Sequence, residues 1–235
     1  MIIAGLQKNS LVDYPGKMAA VIFTPGCNMN CFYCHNRHLL GNKPRELIFP
    51  GYVFEFLEKR KNLLDGVVIS GGEPTLQQGL WDFIDRVKKM GYLVKLDTNG
   101  TNPELVGKLI SDNMLDYIAM DIKAPFSRYK EICGTDVNMD NIKRSINLLL
   151  QGRVDYEFRT TYVPELSKED IEEMAGYIEG ARLYALQQFR CPQSDEAFFD
   201  IRNGKKPHSE EYIIETRDLV KNKVKNCKIR GINSI

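Results

Sequence analysis

The sequence predicts an α/β fold, a closed or partly closed barrel built on six mainly parallel strands. Short β-branched and apolar runs alternate with amphipathic helical stretches along nearly all of the 235 residues, and such alternation is typical of parallel βαβ units. Polar and glycine-containing segments follow the ends of successive runs, as expected where the loops after barrel strands share one mouth. The predicted strands are 19–24, 66–70, 93–97, 117–121, 156–162 and 184–189.

Helix positions follow from apolar periodicity and from capping residues. Apolar residues repeat at i, i+3, i+4 and i+7 in the stretches 80–87 and 171–178, which predicts one buried face for each helix. Asn102 precedes a proline and is expected to cap a helix, and residues 167–170 resemble a capping box. A further helix with a less regular stripe is predicted near 209–220.

A single domain is predicted for residues 1–235, because α/β barrels of this length are commonly single domains. It comprises a cysteine-containing loop at 25–38, a barrel core over about 18–190, and a C-terminal helix and tail over about 208–235. Apolar residues make up 43% of the chain and charged residues 27%, which is ordinary for a protein with a packed core.

Charge and hydropathy argue against nucleic-acid and membrane partners. The net charge is +1, and no stripe of Lys and Arg marks a nucleic-acid or anionic-lipid footprint. No apolar run approaches the roughly 18 residues of a membrane span, and the first residues are too few for the apolar region of a signal peptide. We therefore expect a cytoplasmic protein, where thiols stay reduced and clustered cysteines bind metal or act in catalysis.

Three cysteines, Cys27, Cys31 and Cys34, stand within eight residues, with no fourth cysteine nearby. A [4Fe–4S] cluster held by three thiolates keeps one iron without a protein ligand, and that iron can bind a small molecule. The run therefore suggests a cluster that takes part in chemistry.

Other interpretations of the cysteine run are weaker. Cys31 to His35 matches the C-x-x-C-H pattern of c-type haem attachment, but no export signal is visible and Cys27 is left unexplained. A structural zinc site of three cysteines and a histidine is poorly spaced, because His35 directly follows Cys34. Incidental core cysteines are improbable at this density. The remaining cysteines contain no C-x-x-C pair and are expected to be ordinary residues: Cys133, Cys191 and Cys227.

Two motifs in order identify a family. Cys27-x-x-x-Cys31-x-x-Cys34 resembles the cluster motif of the radical S-adenosylmethionine (SAM) enzymes, and Gly71-Gly72-Glu73-Pro74 resembles their SAM-binding motif. Segments similar to the glycyl-radical-enzyme activases of that superfamily are 13–17, 26–28, 34–36, 97–100 and 121–123. The lead at 11–17, Leu-Val-Asp-Tyr-Pro-Gly-Lys, is most similar to activating proteins of anaerobic ribonucleoside-triphosphate reductase. The resemblance covers about residues 6–190.

The resemblance implies a partial (β/α)6 barrel of the radical SAM type and a radical reaction. In such enzymes the open iron binds the amino and carboxylate groups of SAM, and one electron from the cluster cleaves SAM to methionine and a 5′-deoxyadenosyl radical. The radical then removes a hydrogen from the substrate. The cofactor carries the hard chemistry, and the protein orients it. For an activase the substrate is a backbone glycine of a partner enzyme, left as a stable glycyl radical.

The resemblance also implies roles around the cluster. Cys27, Cys31 and Cys34 would be the ligands, and Tyr33 would lie against adenine. Its alternative role is loop packing. The residues expected at the methionine part of SAM are Gly71 and Gly72, through close backbone approach, and Glu73, accepting from the ammonium group. An ordinary strand-ending turn is the alternative at 71–74.

Charged residues at the ends of later strands complete the predicted site. Asp97 and Asp121 would jointly hold the SAM ammonium or a monovalent cation, as the resemblance to activases suggests. Lys123 and Arg159 would balance those carboxylates or bind the SAM carboxylate. A structural ion-pair network remains the alternative for all four. Two residues after Asp97 complete the predicted SAM-binding set: Thr98 and Asn99.

The predicted function is activation of anaerobic ribonucleoside-triphosphate reductase, with a low-potential electron donor such as flavodoxin or ferredoxin. The near alternatives are activation of another glycyl radical enzyme, such as pyruvate formate-lyase, or a radical SAM reaction on a small molecule, such as that of 7-carboxy-7-deazaguanine synthase. A non-catalytic zinc or iron–sulfur binding protein is the alternative from a different class.

Overall fold

The structure, a computed structural model, describes residues 1–40, 47–190 and 206–232. Contacts divide the chain into two compact units that alternate along the sequence. The first unit contains Met1–Asn30, Asn36–Met120 and Asn138–Tyr156. The second contains Cys31–His35, Asp121–Val137 and Glu157–Ile235. The single domain over 1–235 stays a prediction.

The first unit is built on consecutive strands, which are β1 (Gly5–Ser10), β2 (Ala19–Thr24), β3 (Gly66–Gly71), β4 (Leu93–Thr98) and β5 (Tyr117–Asp121). Strands β2 to β5 pair in chain order and in parallel, and β1 pairs with β2 in antiparallel orientation. Residues in the middle of β2, β3 and β4 are buried in unbroken runs, as expected for parallel strands that are covered on both faces.

The second unit contains the other strands, β6 (Asp155–Tyr162), β7 (Tyr184–Gln188) and β8 (Cys227–Arg230). The first two residues of β6 belong to the first unit, and Asp121 at the end of β5 belongs to the second. Strands β6, β7 and β8 pair in parallel in that order. The α/β class with mainly parallel strands is therefore confirmed, and each of the six predicted strands is present within one residue at either end.

Helices in the described ranges lie largely between the strands. They are α1 (Pro50–Lys59), α2 (Leu80–Lys89), α3 (Pro103–Ser111), α4 (Tyr129–Cys133), α5 (Met139–Leu150), α6 (Lys168–Tyr177) and α7 (Glu210–Val220). The apolar stripe predicted for α2 is buried. Asn102 caps α3 by accepting from the Leu105 amide, and Ser167 and Asp170 form the predicted capping box of α6. None of the helices in these ranges is long and apolar enough to cross a membrane.

Candidate cofactor site

The cysteine loop follows β2 and begins with a left-handed turn at Gly26, whose φ is +79°. The Gly26 amide donates to the Leu39 carbonyl at 2.7 Å, which closes the loop over a 3-10 turn at Arg37–Leu39. The Asn36 side chain donates to the Gly71 carbonyl at 3.2 Å. The asparagine of the Cys-His-Asn signature therefore ties the loop to the end of β3.

The three cysteines of the predicted cluster site are distributed between the units, with Cys27 in the first and Cys31 and Cys34 in the second. Their thiols are the donor type that iron–sulfur clusters require, so the residues present fit such a cluster chemically. Within the described ranges no group of three or more Cys, His, Asp or Glu side chains has an arrangement that could hold a metal ion. The three-thiolate site accordingly stays a prediction.

The Cys31 thiol has a pKa lowered to about 7. A hydrogen bond with the side chain of Cys133 is the main cause, and the positive charge of Lys123 acts in the same direction while burial opposes both. The thiolate is the form that binds iron, so this environment favours the ligating form. Cys133 is buried at the end of α4, a position that its sequence spacing does not connect with the cysteine loop.

The other cysteines were expected to be ordinary, and that assignment stays a prediction. Cys227 lies in β8, and burial raises the pKa of its thiol to about 11. Cys191 lies outside the described residues.

Gly71 packs its backbone against the end of β2, and Gly72 approaches the cysteine loop with its backbone. A Cβ atom on Gly71 would lie 2.4 Å from the Thr24 nitrogen, and one on Gly72 would lie 1.9 Å from the Gly26 carbonyl oxygen. The Glu73 amide donates to that same oxygen at 2.8 Å. The close approaches that the structure shows are thus to the end of β2 for Gly71 and to the cysteine loop for Gly72. Their contact with SAM stays a prediction.

Glu73 is 1% exposed, and its carboxylate accepts four hydrogen bonds. Oε1 accepts from the Thr75 amide at 3.1 Å, the Thr75 hydroxyl at 2.6 Å and the Thr98 hydroxyl at 2.8 Å. Oε2 accepts from the Asn99 amide at 2.7 Å. Burial raises the pKa of this carboxyl, and the hydrogen bonds oppose the shift. Glu73 therefore joins the loop after β3 to the loop after β4, while its predicted bond to the SAM ammonium stays a prediction.

Asp97 at the end of β4 is held by two neighbours. Its carboxylate accepts from the Ser70 hydroxyl at 3.1 Å and from the Lys95 ammonium at 2.5 Å. The Lys95 side chain is 1% exposed, and the sequence analysis missed this lysine. The available signal was its place in an apolar strand two residues before Asp97, because residues i and i+2 share one face of a strand.

An ion-pair network in the second unit connects Asp121, Lys123 and Arg159. Asp121 accepts from Lys123 Nζ at 2.9 Å and from Arg159 Nε at 2.8 Å. Burial tends to raise the pKa of Asp121, but the charges of Arg159 and Lys123 outweigh it and lower that pKa well below its usual range. Asp121 is therefore ion-paired with both cations, while the binding of SAM by these residues stays a prediction. Asp97 and Asp121 belong to different units, and their joint binding of a cation stays a prediction.

Tyr33 is buried beside Lys123, whose Nζ lies 6.0 Å from the centre of the tyrosine ring. The Tyr33 hydroxyl is buried, and it has no hydrogen-bond partner among the described residues. Such unsatisfied groups are rare in native proteins and each calls for an explanation, of which a ligand is one. This hydroxyl is compatible with the predicted contact to SAM.

Replacing Tyr33 by phenylalanine tests that explanation. Burying a hydroxyl without a partner costs about 1–3 kcal/mol, so we expect Tyr33→Phe to raise the free energy of unfolding by about 1 kcal/mol in the absence of SAM. Denaturant titration under anaerobic conditions measures the change. A loss of stability would contradict the observation that the hydroxyl lacks a partner. Isothermal titration with SAM then reports whether the hydroxyl contributes to binding.

The chain was compared with known proteins. The model of the radical SAM superfamily matches residues 21–178. A Methanocaldococcus jannaschii protein, named as a candidate glycyl-radical enzyme activating enzyme, is 39% identical over 99% of this chain and 97% of its own length. The pyruvate formate-lyase-activating enzyme of Clostridium pasteurianum is 29% identical over 77% of both chains.

A solved structure agrees on the fold. A domain of pyruvate-formate lyase-activating enzyme from Bacteroides vulgatus superimposes with a TM-score of 0.55, covering 71% of this chain and 99% of that domain at 18% sequence identity. The family match begins in β2, includes the cysteine loop and the Gly-Gly-Glu-Pro segment, and ends just after α6. Together with the full-length relative, this match shows that the chain belongs to the radical SAM superfamily.

Proposed function

We propose that this chain activates an anaerobic ribonucleoside-triphosphate reductase by removing a hydrogen atom from a backbone glycine of that enzyme. Membership of the superfamily implies a [4Fe–4S] cluster and SAM, and the enzyme is of the glycyl-radical-activating kind. The observation that carries this assignment is the full-length similarity to a relative named for that activity. The choice of the reductase rests on the lead at 11–17.

The lead has a defined structure in the first unit. Ser10 donates its hydroxyl proton to Asp13 at 2.5 Å and accepts from the Asp13 amide, which shapes a turn between β1 and β2. Tyr14 is buried against Ala19, Val21 and Val68. These contacts explain Asp13 and Tyr14 as parts of a turn that is anchored to the first unit. The two residues before Asp13 are exposed: Leu11 is 72% exposed and Val12 85%.

The chain's own residues would bind and orient the cofactors. Cys27, Cys31 and Cys34 would hold the cluster, which when bound supplies the electron that cleaves SAM. Two glycines, Gly71 and Gly72, would present backbone to SAM. Glu73 would accept from the SAM ammonium group, and the SAM-binding set in the first unit would also include Asp97, Thr98 and Asn99. The residues proposed for the second unit are Tyr33 at adenine, with Asp121, Lys123 and Arg159 at the charged groups of SAM or a monovalent cation.

The rest of the proposal concerns the setting of the reaction. A low-potential donor such as flavodoxin or ferredoxin would reduce the cluster. We place the reaction in the cytoplasm, because cysteine ligands there stay reduced.

Mixing experiments distinguish the candidate protein substrates. The enzyme is reconstituted anaerobically, supplied with SAM and reductant, and assayed for 5′-deoxyadenosine. It is then mixed with an anaerobic ribonucleoside-triphosphate reductase and, separately, with a pyruvate formate-lyase. We expect the glycyl-radical doublet in electron paramagnetic resonance with the reductase alone. A doublet only with the lyase would support the second candidate, which the similarity to the Clostridium enzyme favours.

A further inference from the structure

Asn99 follows β4 and contacts the sulfur of a predicted cluster ligand. Its side-chain Nδ2 lies 3.9 Å from Cys27 Sγ and donates to Asn28 Oδ1 at 2.9 Å. The Met29 amide also donates to Cys27 Sγ, at 3.4 Å. The sulfur of Cys27 therefore accepts a hydrogen bond from a backbone donor and another from a side-chain donor. These residues all belong to the first unit.

The orientation of the Asn99 amide is determined by a ring of side chains. Its Oδ1 accepts from the Thr101 amide at 3.0 Å and from the Thr101 hydroxyl at 2.7 Å. That hydroxyl in turn accepts from Asn28 Nδ2 at 2.9 Å. Turning the amide over would place its NH₂ group against the Thr101 amide, which can only donate, and would lose that hydrogen bond, so the network assigns Nδ2 to the sulfur side.

The backbone of Asn99 is held equally firmly. Its amide donates to Glu73 Oε2 at 2.7 Å, and the residue as a whole is 5% exposed. The side chain has both its oxygen and its nitrogen engaged with protein groups. The Asn99 side chain therefore faces the cysteine loop, and these contacts with protein groups do not require SAM.

We propose that Asn99 is a positioning residue that donates a hydrogen bond to Cys27 Sγ and thereby raises the reduction potential of the cluster. Reduction adds negative charge that is shared by the sulfurs, so a donor to a ligand sulfur stabilises the reduced form more than the oxidised form. This inference rests on the proposed function for the presence of the cluster, and it concerns the chain's own contact with one ligand. Glu73 supports it by anchoring the Asn99 backbone.

The test is the midpoint potential of the reconstituted cluster in the absence of SAM. We expect Asn99→Ala to lower the equilibrium constant for reduction roughly tenfold, which is a shift of about 59 mV to more negative potential for a one-electron couple. Asn99→Asp retains the shape but exchanges the donor for a carboxylate, so the lost donor and the added negative charge should both move its potential negative. Thr101→Val removes the hydroxyl that orients the amide and should give a smaller shift in the same direction.

Asn102→Asp is the matched control. Asn102 lies three residues further along, and its Nδ2 donates to the Thr75 carbonyl at 3.0 Å while its oxygen caps α3. The aspartate keeps the capping oxygen, and the variant should keep the wild-type potential. Unchanged potentials in Asn99→Ala and Asn99→Asp would overturn the proposal, as would weaker SAM binding with an unchanged SAM-free potential.

If Asn99→Ala loses its cluster, the test rests on Asn99→Asp and Thr101→Val. Wild-type midpoint potentials in these variants would overturn the proposal. A different result would contradict the proposed function. A wild-type enzyme that carries its cluster and cleaves SAM, but forms no glycyl radical on any partner, would contradict the assigned substrate and leave the Asn99 potentials measurable.

Discussion

Replacing Gly72 by alanine is expected to lower the free energy of unfolding by about 3 kcal/mol, the upper end for overpacking a closely packed site, and to reduce the iron bound per chain. The added Cβ would lie 1.9 Å from the Gly26 carbonyl oxygen and 2.6 Å from its carbonyl carbon. Both are backbone atoms. Gly26 cannot easily withdraw, because its amide is bonded to Leu39 and its oxygen accepts from Glu73.

Gly107→Ala provides the control. Gly107 lies within α3, and a Cβ there would meet Leu148 Cδ1 at 3.5 Å, an ordinary contact. Alanine is favoured over glycine in helices by about 1 kcal/mol, so this variant should be as stable as the wild type or more so. Anaerobic denaturation and iron analysis after reconstitution measure both variants. Wild-type stability and iron content in Gly72→Ala would contradict the close approach.

The two glycines show which part of this site can be predicted from the sequence. Their adjacency at the end of a strand predicts a close backbone approach to SAM, and the structure shows close approaches to protein backbone at that point. The partner in the approach could not be identified from the sequence, since Gly72 meets Gly26, which lies 46 positions earlier in the chain, and the motif does not indicate that pairing. The predicted approach to SAM stays a prediction, and the structure shows Gly71 against the end of β2 and Gly72 against the cysteine loop.

The strands likewise include some that the sequence predicts and some that it does not. Of the six predicted strands, β2 and β3 are largely apolar runs whose middle residues are buried, so composition alone reveals them. Strand β1 was missed because its sequence, Gly-Leu-Gln-Lys-Asn-Ser, is largely polar and three of its residues are exposed. Strand β8 was missed because it is short, alternates charged with apolar residues and contains no fully buried residue. Both adopt the strand conformation through pairing with a neighbouring strand, which local propensity does not encode.

Buried polar residues were the hardest to assign. The motif singles out Glu73, whose role at SAM stays a prediction, but its four hydrogen bonds come from Thr75, Thr98 and Asn99, and the last two residues lie 25 and 26 positions away. The partners of a buried carboxylate depend on which loops the fold brings together. The ion pair of Asp121 is easier to predict from the sequence, because its partner Lys123 lies only two positions away.

Replacing Asp121 by asparagine is expected to lower the free energy of unfolding by about 3 kcal/mol at pH 7. Removing one partner of a largely buried ion pair leaves the other charge uncompensated, at a cost of about 3–5 kcal/mol. The side chains of Asp121, Lys123 and Arg159 are 24%, 16% and 13% exposed, which favours the lower end of that range. Denaturant titration of the anaerobically reconstituted enzyme without SAM measures the loss.

Asp136→Asn is the matched control for that variant. Asp136 pairs with Lys130 at 3.0 Å in the same unit, but both side chains are more than 70% exposed. Exposed pairs contribute about 0–1 kcal/mol, so the control should lose at most about 0.5 kcal/mol. Equal losses in the two variants would contradict the buried network.

The effect of pH separates an ion-pair contribution from a packing defect. The pKa of Asp121 is lowered in the folded state, so its stabilising contribution is complete above the usual aspartate pKa of about 3.9 and is lost as the pH falls below it. The difference in unfolding free energy between wild type and Asp121→Asn should therefore be constant from pH 7 to 5 and shrink below about pH 4. A difference that persists undiminished at pH 3 would show that asparagine disturbs packing and that the charge of Asp121 contributes little.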